Sequence, residues 1–394
     1  MTSTRRRVAI ATRVYVPEAT AASFRMEALA NALAQDADVT VLTTRPPTSG
    51  TSEPVGAGPR VKRARVLRDR SGAIRGYVQY LSFDIPLFFR LLATPSDAIV
   101  AEAPPTTGLM AVLAGLLTRR PVVYYPGDVW SDAVASMKAP RPVIAVMTAL
   151  EGFVLRRSRR SLAVSGEVAE RLAALGGHAE RVIEVGNGID TGVFSPAVTA
   201  PETDHPYFVY TGTMSEWQQP EVFIRALALL DDERVELRFF GQGSVEAELR
   251  RLAEEIVPGR VHFGGVVSPA DSARWIRGAV AALVSIVPGI GYDFARPTKT
   301  YAAAAVGTPV LFAGARTGGD LVRDAGLGEA TSFDAEDVAT AMSGLLGQAA
   351  DGVTESRRGA RVGWAAENAS LQTVGRRAAD VVRGVLPDSP DHRR

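Results

Sequence analysis

The chain has 394 residues, of which 46% are hydrophobic and 22% charged, and its formal net charge is +1. This composition is typical of a globular protein long enough for two domains, and the balanced charge gives no overall field that would favour nucleic acid. The absence of cysteine excludes disulfides, thiolate metal sites and cysteine nucleophiles. The four histidines are scattered without metal-ligand spacing, so we expect no bound metal.

Neither a signal peptide nor a membrane span is expected. The arginines at 5–7 precede an apolar stretch that is too short for the hydrophobic region of a signal peptide. The longest apolar run, 109–117, is about half the length that a bilayer span needs. We expect a cytoplasmic protein, either free or associated with the cytoplasmic face of a membrane.

Short β-branched runs alternate with helical patterns along the first half of the chain. The first helix is predicted over Ser23–Ala34, where apolar residues can share one face. Strands that alternate with helices favour parallel βαβ units. The predicted strands are Val8–Thr12, Val39–Thr43, Ala98–Glu102, Val122–Tyr125, Leu162–Ser165 and Val182–Val185.

The same alternation restarts after 195–206, whose Pro, Ala, Thr, Glu and Asp content predicts an interdomain linker. We therefore predict two Rossmann-like domains, 1–197 (completed by a C-terminal helix at about 366–388) and 198–365. Ligands bind beyond the carboxyl ends of parallel strands, so the loops after strands should carry the chemistry. The strands predicted in the second half are Phe208–Thr211, Val235–Phe240, Val261–Phe263, Ala281–Ser285 and Pro309–Phe312, with helices at Glu246–Glu255 and Ala335–Leu346.

The first loop after a strand, 17–25, has small residues that lead into a helix. Backbone N–H groups and the helix dipole could bind an anion or an acceptor there. The alternative is a plain capped helix with Arg25 on the surface.

Asp128 follows another predicted strand and stands close to Trp130. Its carboxylate could accept a hydrogen bond from a sugar hydroxyl or polarise it. The alternative is that Asp128 caps the helix that follows.

Two glycine-containing turns follow strands of the second half. Gly212 comes directly after one predicted strand, and Gly241-Gln242-Gly243 after the next. Glycine lets the backbone approach a phosphate or a ribose closely. The recurrence of such turns in one domain favours a nucleotide site.

The strongest local signal is the segment 291–310. Pro297 and Thr298 would begin a helix with free N–H groups, and Lys299 adds a cation there. A lysine at a helix N-terminus is unfavourable with respect to the dipole, and a bound diphosphate would relieve that conflict. If nothing binds, Lys299 points into water.

Taken in order, these motifs resemble the retaining glycosyltransferases of family four. The resemblance extends over nearly the whole chain and implies the GT-B fold, an α/β architecture of two Rossmann-like parallel-sheet domains facing across a cleft. The segment around Lys299 is most similar to the branch that builds surface polysaccharides. The residues that carry the resemblance are Pro17, 25–30, 128–130, 187–190, 194–196, Gly212, 241–243, 263–265, 297–299 and 307–310.

The resemblance implies transfer of a sugar from a nucleotide-diphosphate sugar to a hydroxyl acceptor, with retained configuration and with neither metal nor cofactor. Lys299 and Asp128 would be the catalytic residues. The donor would contact Gly212, Thr213, Gln218, Gly241, Gln242, Val266, Arg296, Thr298, Lys299 and Thr300. The acceptor would contact Ser23, Arg25 and Trp130.

The chain departs from the family pattern at several positions. Phe294 and Ala302 occupy the places of the family's two donor-side glutamates, and Gln218 stands in place of a basic residue. Gly127 stands where many members have histidine. Other groups must therefore meet the sugar hydroxyls and part of the phosphate charge.

The first predicted domain contains a basic stretch over 60–75. Seven basic residues fall within 60–75, and an aromatic and apolar stretch follows over 77–89. This pattern suits anionic lipid headgroups and a lipid-linked acceptor. The alternative is a solvated basic loop before a core helix.

Two other functions are compatible with the pattern. The departures from the donor-side residues would suit a sugar-nucleotide-binding partner protein without transferase activity, and a GT-B sugar-nucleotide epimerase is the other option. For a transferase, the acceptor could be a glycan, a lipid-linked glycan or a small natural product. No nucleic acid partner is expected.

Overall fold

The structure, a computed structural model, describes residues 5–18, 20–47, 58–69, 74, 76–136, 139–176, 178–290, 293 and 295–387. The chain divides into two compact units, with Met1–Asn187 and Leu371–Arg394 in unit 1 and Gly188–Ser370 in unit 2. Phe294, Arg70 and Arg75, which the sequence singled out, lie outside the described residues.

The boundary between the units lies before the predicted one at 197, because the segment after Asn187 packs on unit 2. Ile189 pairs with Ser370 in an isolated bridge, and Phe194 is buried in a hydrophobic cluster of unit 2. The predicted linker also contacts unit 2, since Arg274 donates a hydrogen bond to the carbonyl of Thr199. The prediction of a linker at 195–206 was therefore wrong.

Unit 1 contains a sheet of seven parallel strands. They are β1 (Arg6–Ala11), β2 (Ala37–Thr44), β3 (Arg60–Ala64), β4 (Ala98–Glu102), β5 (Val122–Tyr125), β6 (Arg160–Ala163) and β7 (Val182–Glu184). Their order across the sheet is β3-β2-β1-β4-β5-β6-β7. All residues of β4 and β5 are buried, as expected for inner strands of a parallel sheet covered by helices.

The helices of unit 1 are α1 (Ala21–Ala34), α2 (Tyr77–Ala93), α3 (Pro105–Thr118), α4 (Trp130–Ser136), α5 (Arg141–Arg157) and α6 (Gly166–Ala174). Helix α2 packs on α3, and α3 on α5. No helix in the described part of the chain is sufficiently long and apolar to cross a membrane.

Unit 2 contains a second parallel sheet, of six strands. They are β8 (Tyr207–Thr211), β9 (Glu236–Phe240), β10 (Val261–Phe263), β11 (Ala282–Ile286), β12 (Val310–Gly314) and β13 (Gly328–Thr331), in the order β10-β9-β8-β11-β12-β13. Its helices are α7 (Glu221–Leu227), α8 (Glu246–Ile256), α9 (Pro269–Gly278), α10 (Thr298–Val306), α11 (Arg316–Asp324), α12 (Ala335–Ala350), α13 (Val353–Ser356) and α14 (Arg358–Asn368).

The chain then returns to unit 1 with a last helix, α15 (Leu371–Arg383), which packs along α1. The two helices are in close contact, because a Cβ at Gly375 would lie 2.6 Å from the carbonyl oxygen of Ala28. Ala378, Ala379 and Val382 of α15 are fully buried. The segment that the sequence assigned to the first domain over 366–388 therefore begins at Leu371.

The alanine-rich helix α10 determines where the site of unit 2 lies. Every residue from Thr300 to Val306 is buried, and α10 ends at Gly307, whose φ of 79° is left-handed. This is the usual conformation of a residue that ends a helix. Because α10 is fixed in the core along most of its length, its first turn has a fixed position beside the ends of the strands.

Candidate donor and acceptor sites

Lys299 is the centre of a polar cluster at the start of α10. Its Nζ lies 3.3 Å from the carbonyl oxygen of Thr213 and 3.3 Å from Oε1 of Gln218. It also lies 3.4 Å from the centroid of the Tyr210 ring, within the range of a cation–π interaction. Strand β8 and the loop after it thus supply all three partners of the ammonium group.

The partners of Lys299 are themselves connected. The hydroxyl oxygen of Tyr210 lies 2.6 Å from Oε1 of Gln218 and 2.7 Å from the carbonyl oxygen of Thr213. Gln218 is only 3% exposed. The amide that occupies a position basic in the family therefore holds Lys299 in place rather than adding charge.

The environment of Lys299 is unfavourable for a cation. Burial lowers the pKa of Lys299 well below its ordinary value, and within the described ranges no carboxylate pairs with it. The first turn of α10 holds no acidic residue, and Pro297 provides no side-chain cap. An anion at this point would meet both an ammonium group and the N–H groups of a helix start.

The glycines next to Lys299 are required by contacts between loops. A Cβ at Gly241 would lie 2.0 Å from the carbonyl oxygen of Gly212, and one at Gly243 would lie 1.8 Å from that of Met214. Gly212 and Gly241 have φ values of 109° and 132°, which only glycine adopts readily. The loops after β8 and β9 are thus packed backbone to backbone beside Lys299.

The other residues predicted for the donor differ in exposure. Thr213 and Gln242 are exposed, Arg296 and Thr298 are half-buried, and Thr300 is 2% exposed. Val266 is 67% exposed and follows Gly265, whose carbonyl accepts a hydrogen bond from the Gly241 amide. The structure brings Gly212, Thr213, Gln218 and Lys299 together and places the side chain of Thr300 in the core.

A second polar cluster lies at the carboxyl ends of the strands of unit 1. Glu102, the last residue of β4, is buried, and its Oε1 lies 3.7 Å from Nη2 of Arg25. Thr12 donates a hydrogen bond of 3.4 Å to its other oxygen. Burial raises the pKa of Glu102 to about 7, although Arg25 and Arg13 lower it. Arg25 is 6% exposed, so the alternative that placed it on the surface was wrong.

Arg13 connects this cluster to the aromatic side chains. Its Nη2 donates hydrogen bonds to Oδ2 of Asp84 at 3.0 Å and to Thr106 at 2.8 Å. The guanidinium carbon lies 3.8 Å from the centroid of Tyr80, whose ring contacts that of Trp130 edge-on at 6.2 Å. Trp130, predicted to contact the acceptor, is therefore fixed by neighbours that the sequence did not indicate.

Asp128 does not cap the helix that follows it. Glu151 of α5 performs that role, because its two oxygens accept the amides of Trp130 at 3.0 Å and of Ser131 at 2.8 Å. The side chain of Asp128 is thereby left exposed at the surface. Desolvation of the carboxyl by the surrounding protein raises the pKa of Asp128, and Arg25 lowers it.

The start of α1 has the cap that the sequence offered as an alternative. Thr20 is the N-cap, and its Oγ1 accepts the amide of Ser23 at 3.1 Å. The two hydroxyl oxygens lie 2.8 Å apart. Ser23 is fully buried, so its hydroxyl is occupied within the helix start.

Some side chains of the basic stretch form ion pairs and hydrogen bonds within the protein. Arg68 forms an ion pair of 3.0 Å with Glu18, and Arg63 donates to the carbonyls of Thr44 and Val16. Residues 60–64 form strand β3 rather than a loop. The alternative of a solvated basic loop is therefore wrong for this part of the stretch.

Several of these residues were missed by the sequence reading. Glu102 ends a strand that the sequence predicted correctly, and this position could have indicated it. Arg13 follows β1 in the same way. Asp84 and Glu151 lie within helices, where no local signal separates them from solvated acids. Among the described residues no group of three or more His, Asp or Glu side chains could hold a metal ion.

Comparison with protein families assigns each half of the chain. Residues 20–188 match the model of a glycosyl transferase 4-like domain, and residues 205–348 match that of glycosyl transferases group 1. A comparison with curated proteins gives no match.

Solved structures share the fold over the whole chain. Sucrose-phosphate synthase from Thermosynechococcus elongatus is 16% identical, with a TM-score of 0.74 over 97% of this chain and 99% of that one. HepE of Anabaena in complex with UDP-glucose is 15% identical, with a TM-score of 0.70 over 96% and 99%. WaaG, a glycosyltransferase involved in lipopolysaccharide biosynthesis, is 17% identical, with a TM-score of 0.69 over 96% and 100%.

The two family matches, the two parallel sheets and these similarities agree with one another. The chain belongs to the glycosyltransferases with the GT-B fold.

Proposed function

We propose that this glycosyltransferase takes its sugar from a nucleotide-diphosphate sugar bound in unit 2 and passes it to a hydroxyl acceptor held by unit 1, with retained configuration. The observation that carries the donor site is Lys299, a half-buried cation that no described carboxylate neutralises. A diphosphate at the start of α10 would restore charge balance.

The same arrangement supplies a chemical role for Lys299. When the bond between the sugar and the diphosphate breaks, negative charge develops on the leaving phosphate oxygen. An ammonium group already fixed by Gln218 and Tyr210 stabilises that charge without reorganising. The acceptor oxygen bonds to the anomeric carbon on the face that the diphosphate leaves, and its proton passes to the leaving oxygen.

In unit 1, Asp128 and Trp130 are the groups that an acceptor would meet first. Asp128 is exposed and Trp130 half-buried. Glu151 relieves Asp128 of the capping role, which leaves its carboxylate available for a sugar hydroxyl. The acceptor is a glycan, a lipid-linked glycan or a small natural product.

The experiment combines nucleotide-sugar binding with turnover. Isothermal titration across a panel of nucleotide sugars identifies the donor, and transfer or donor hydrolysis is then followed with that donor, with and without EDTA. We expect activity to be insensitive to EDTA and NMR of the product to show the donor's anomeric configuration. An inverted linkage would contradict retention.

Lys299→Met should lower turnover by a factor of a hundred or more, on the order of 3 kcal/mol of transition-state stabilisation. Arg251→Met is the control, because Arg251 is an exposed cation of α8 in unit 2. A Lys299 variant that retains near wild-type turnover would place the donor elsewhere.

A sugar-nucleotide-binding protein without catalysis is the second candidate. It is favoured by Ala302, which lies buried in α10 at a place where the family has a donor-side glutamate. Nucleotide-sugar binding without hydrolysis or transfer to any acceptor would support it. Conversion of the donor to its epimer would instead indicate an epimerase.

An exposed apolar face on α2 and α3 of unit 1 supports contact of the stretch 60–90 with an anionic membrane. Helix α2 carries no exposed acidic side chain, since Asp84 is buried, and α3 has no charged residue. The exposed Arg119 ends α3. The apolar face consists of Val78, Leu81, Ile85 and Phe89 of α2 and Leu113, Leu116 and Leu117 of α3, all 36–69% exposed.

Vesicle flotation tests this contact. Vesicles with phosphatidylglycerol should bind the chain at low salt, and Leu81→Ser with Phe89→Ser should abolish binding. Leu229→Ser, which alters a side chain of unit 2 that is 52% exposed, is the control. Wild-type protein that stays unbound, or that forms dimers lost in the double variant, would contradict a membrane contact.

A further inference from the structure

Arg25 is a buried cation that the described residues leave without a hydrogen bond. Its side chain is 6% exposed, and its Nε is buried without a partner. Among the described residues its ion-pair partner is Glu102, whose oxygen lies 3.7 Å away, which is too far for a hydrogen bond. Guanidinium has five N–H groups, and burying them unsatisfied is unfavourable.

Glu102 does not fully neutralise Arg25 near neutral pH. Burial raises the pKa of Glu102 to about 7, so a large fraction of this carboxyl is protonated there. Arg13 is not free to bind an anion together with Arg25, because its Nη2 donates a hydrogen bond to Asp84. The charged and titratable groups that act on Glu102 are Arg25 from α1, Arg13 after β1, Asp128 after β5 and Tyr124 in β5.

The guanidinium of Arg25 lies directly against the backbone of Gly127. A Cβ at this position would lie 2.5 Å from Nη2 of Arg25. Gly127 is half-exposed, and Asp128 beside it is exposed. The glycine at a position that is often histidine in this family thus lets the guanidinium lie against a loop that reaches the surface at Asp128.

We propose that Arg25 binds an anionic group of the acceptor, a carboxylate or a phosphate, and that Glu102 takes up a proton as the anion binds. The inference rests on the proposed function in one respect, the assignment of the acceptor to unit 1. Two oxygens of either group match the parallel N–H groups of a guanidinium. Protonation of Glu102 removes one negative charge that would repel the anion.

The proposal predicts a specific pH dependence. At pH 8 a carboxyl with a pKa of about 7 is protonated in only about one molecule in ten. Anion binding should therefore be about tenfold weaker at pH 8 than at pH 6. In Glu102→Gln, whose side chain is always neutral, the affinity should be equal at both pH values and about tenfold above wild type at pH 8.

Isothermal titration of the full chain with two probes tests this. Sulfate, whose charge is constant over this range, represents the phosphate, and glucuronate represents the carboxylate. Arg25→Met should weaken binding of the preferred probe at least tenfold. Gly127→His, which keeps Arg25 but displaces its guanidinium because a Cβ would lie 2.5 Å from Nη2, should do the same and guards against misfolding of the Arg25 variant. Thermal unfolding of each variant checks that it is folded.

Lys299→Met separates this site from the donor site. Sulfate or glucuronate binding that survives in Lys299→Met and is lost in Arg25→Met and Gly127→His supports the proposal. Binding of neither probe by wild type, or binding unaffected by both unit 1 variants, overturns it. Nucleotide-sugar binding, measured on the same proteins, should depend on Lys299 and not on Gly127. The loss of one site can therefore be distinguished from the loss of the other.

Discussion

The ammonium group of Lys299 is held by uncharged partners, and this determines what it can bind. Gln218 contributes an amide oxygen and Tyr210 a ring face. Neither carries a negative charge, so neither neutralises the ammonium group before a phosphate binds. A carboxylate in the same place would neutralise the lysine before the donor arrived.

Gln218→Glu tests this directly, because it changes charge with little change of shape. We expect the new carboxylate to pair with Lys299, to raise the pKa of the lysine and to weaken nucleotide-sugar binding by tenfold or more. Gln219→Glu is the matched control, since Gln219 is the adjacent residue and is exposed. Titration calorimetry measures the affinity of both variants for the identified donor. Equal affinities of Gln218→Glu and Gln219→Glu would show that Gln218 does not act on the donor through Lys299.

Glu102 should make unit 1 less stable as the pH rises. Its folded-state pKa of about 7 lies above the ordinary value of 4.5, so the folded state binds more protons between these values. Stability therefore falls with rising pH across this window, by up to about 3 kcal/mol from this group. Urea unfolding should show Glu102→Gln more stable than wild type at pH 8 and equal to it below about pH 5. Glu254→Gln, at an exposed position in unit 2, should show no such difference.

Individual site residues differed in how far the sequence could predict them. Lys299 was predicted because its local motif places a cation at a helix start. Its contact with Tyr210 was not, because that contact depends on which strand lies beside α10. Likewise, Arg13 and Asp84 are 71 positions apart in the chain, and only the packing of α2 brings them together.

At the scale of elements, the loops after β8 and β9 pack directly against each other. Gly241→Ala would place a Cβ 2.0 Å from the carbonyl of Gly212 at a φ of 132°. We expect a loss of at least about 3 kcal/mol in unfolding free energy and displacement of Gln218 and Lys299. Gly259→Ala is the control, because Gly259 also has a positive φ but a Cβ there would have no neighbouring atom within 4 Å. It should lose only about 1 kcal/mol by urea unfolding.

The inner strands were predicted well, and two of the four edge strands, β3 and β13, were missed. β4 and β5 have the predicted bounds, because runs of buried apolar residues mark a strand between two others. β3 pairs only with β2, and β13 only with β12. Their sequences, Arg-Val-Lys-Arg-Ala and Gly-Glu-Ala-Thr, lack the apolar signal because an edge strand is partly solvated.

For the whole molecule, the order of the chain makes unit 1 depend on its last helix. Residues up to Asn187 complete seven strands, yet α1 gains its helical neighbour α15 only after the chain has passed through unit 2 and returned. The domain prediction included this return but placed it at about 366, before the bridge at Ser370 that belongs to unit 2. Contacts between distant segments of the chain decide such a boundary.

Gly375→Val should therefore destabilise unit 1 selectively. Its Cβ would lie 2.6 Å from the carbonyl of Ala28, which forces α15 away from α1 and exposes Ala378 and Val382. Gly363→Val in α14 is the matched control, since nothing lies within 4 Å of a Cβ there. Hydrogen exchange should show faster exchange in α1 and β2 for Gly375→Val, with β8–β13 unchanged, and nucleotide-sugar binding should survive. Equal loss of protection in both units would mean that they unfold together.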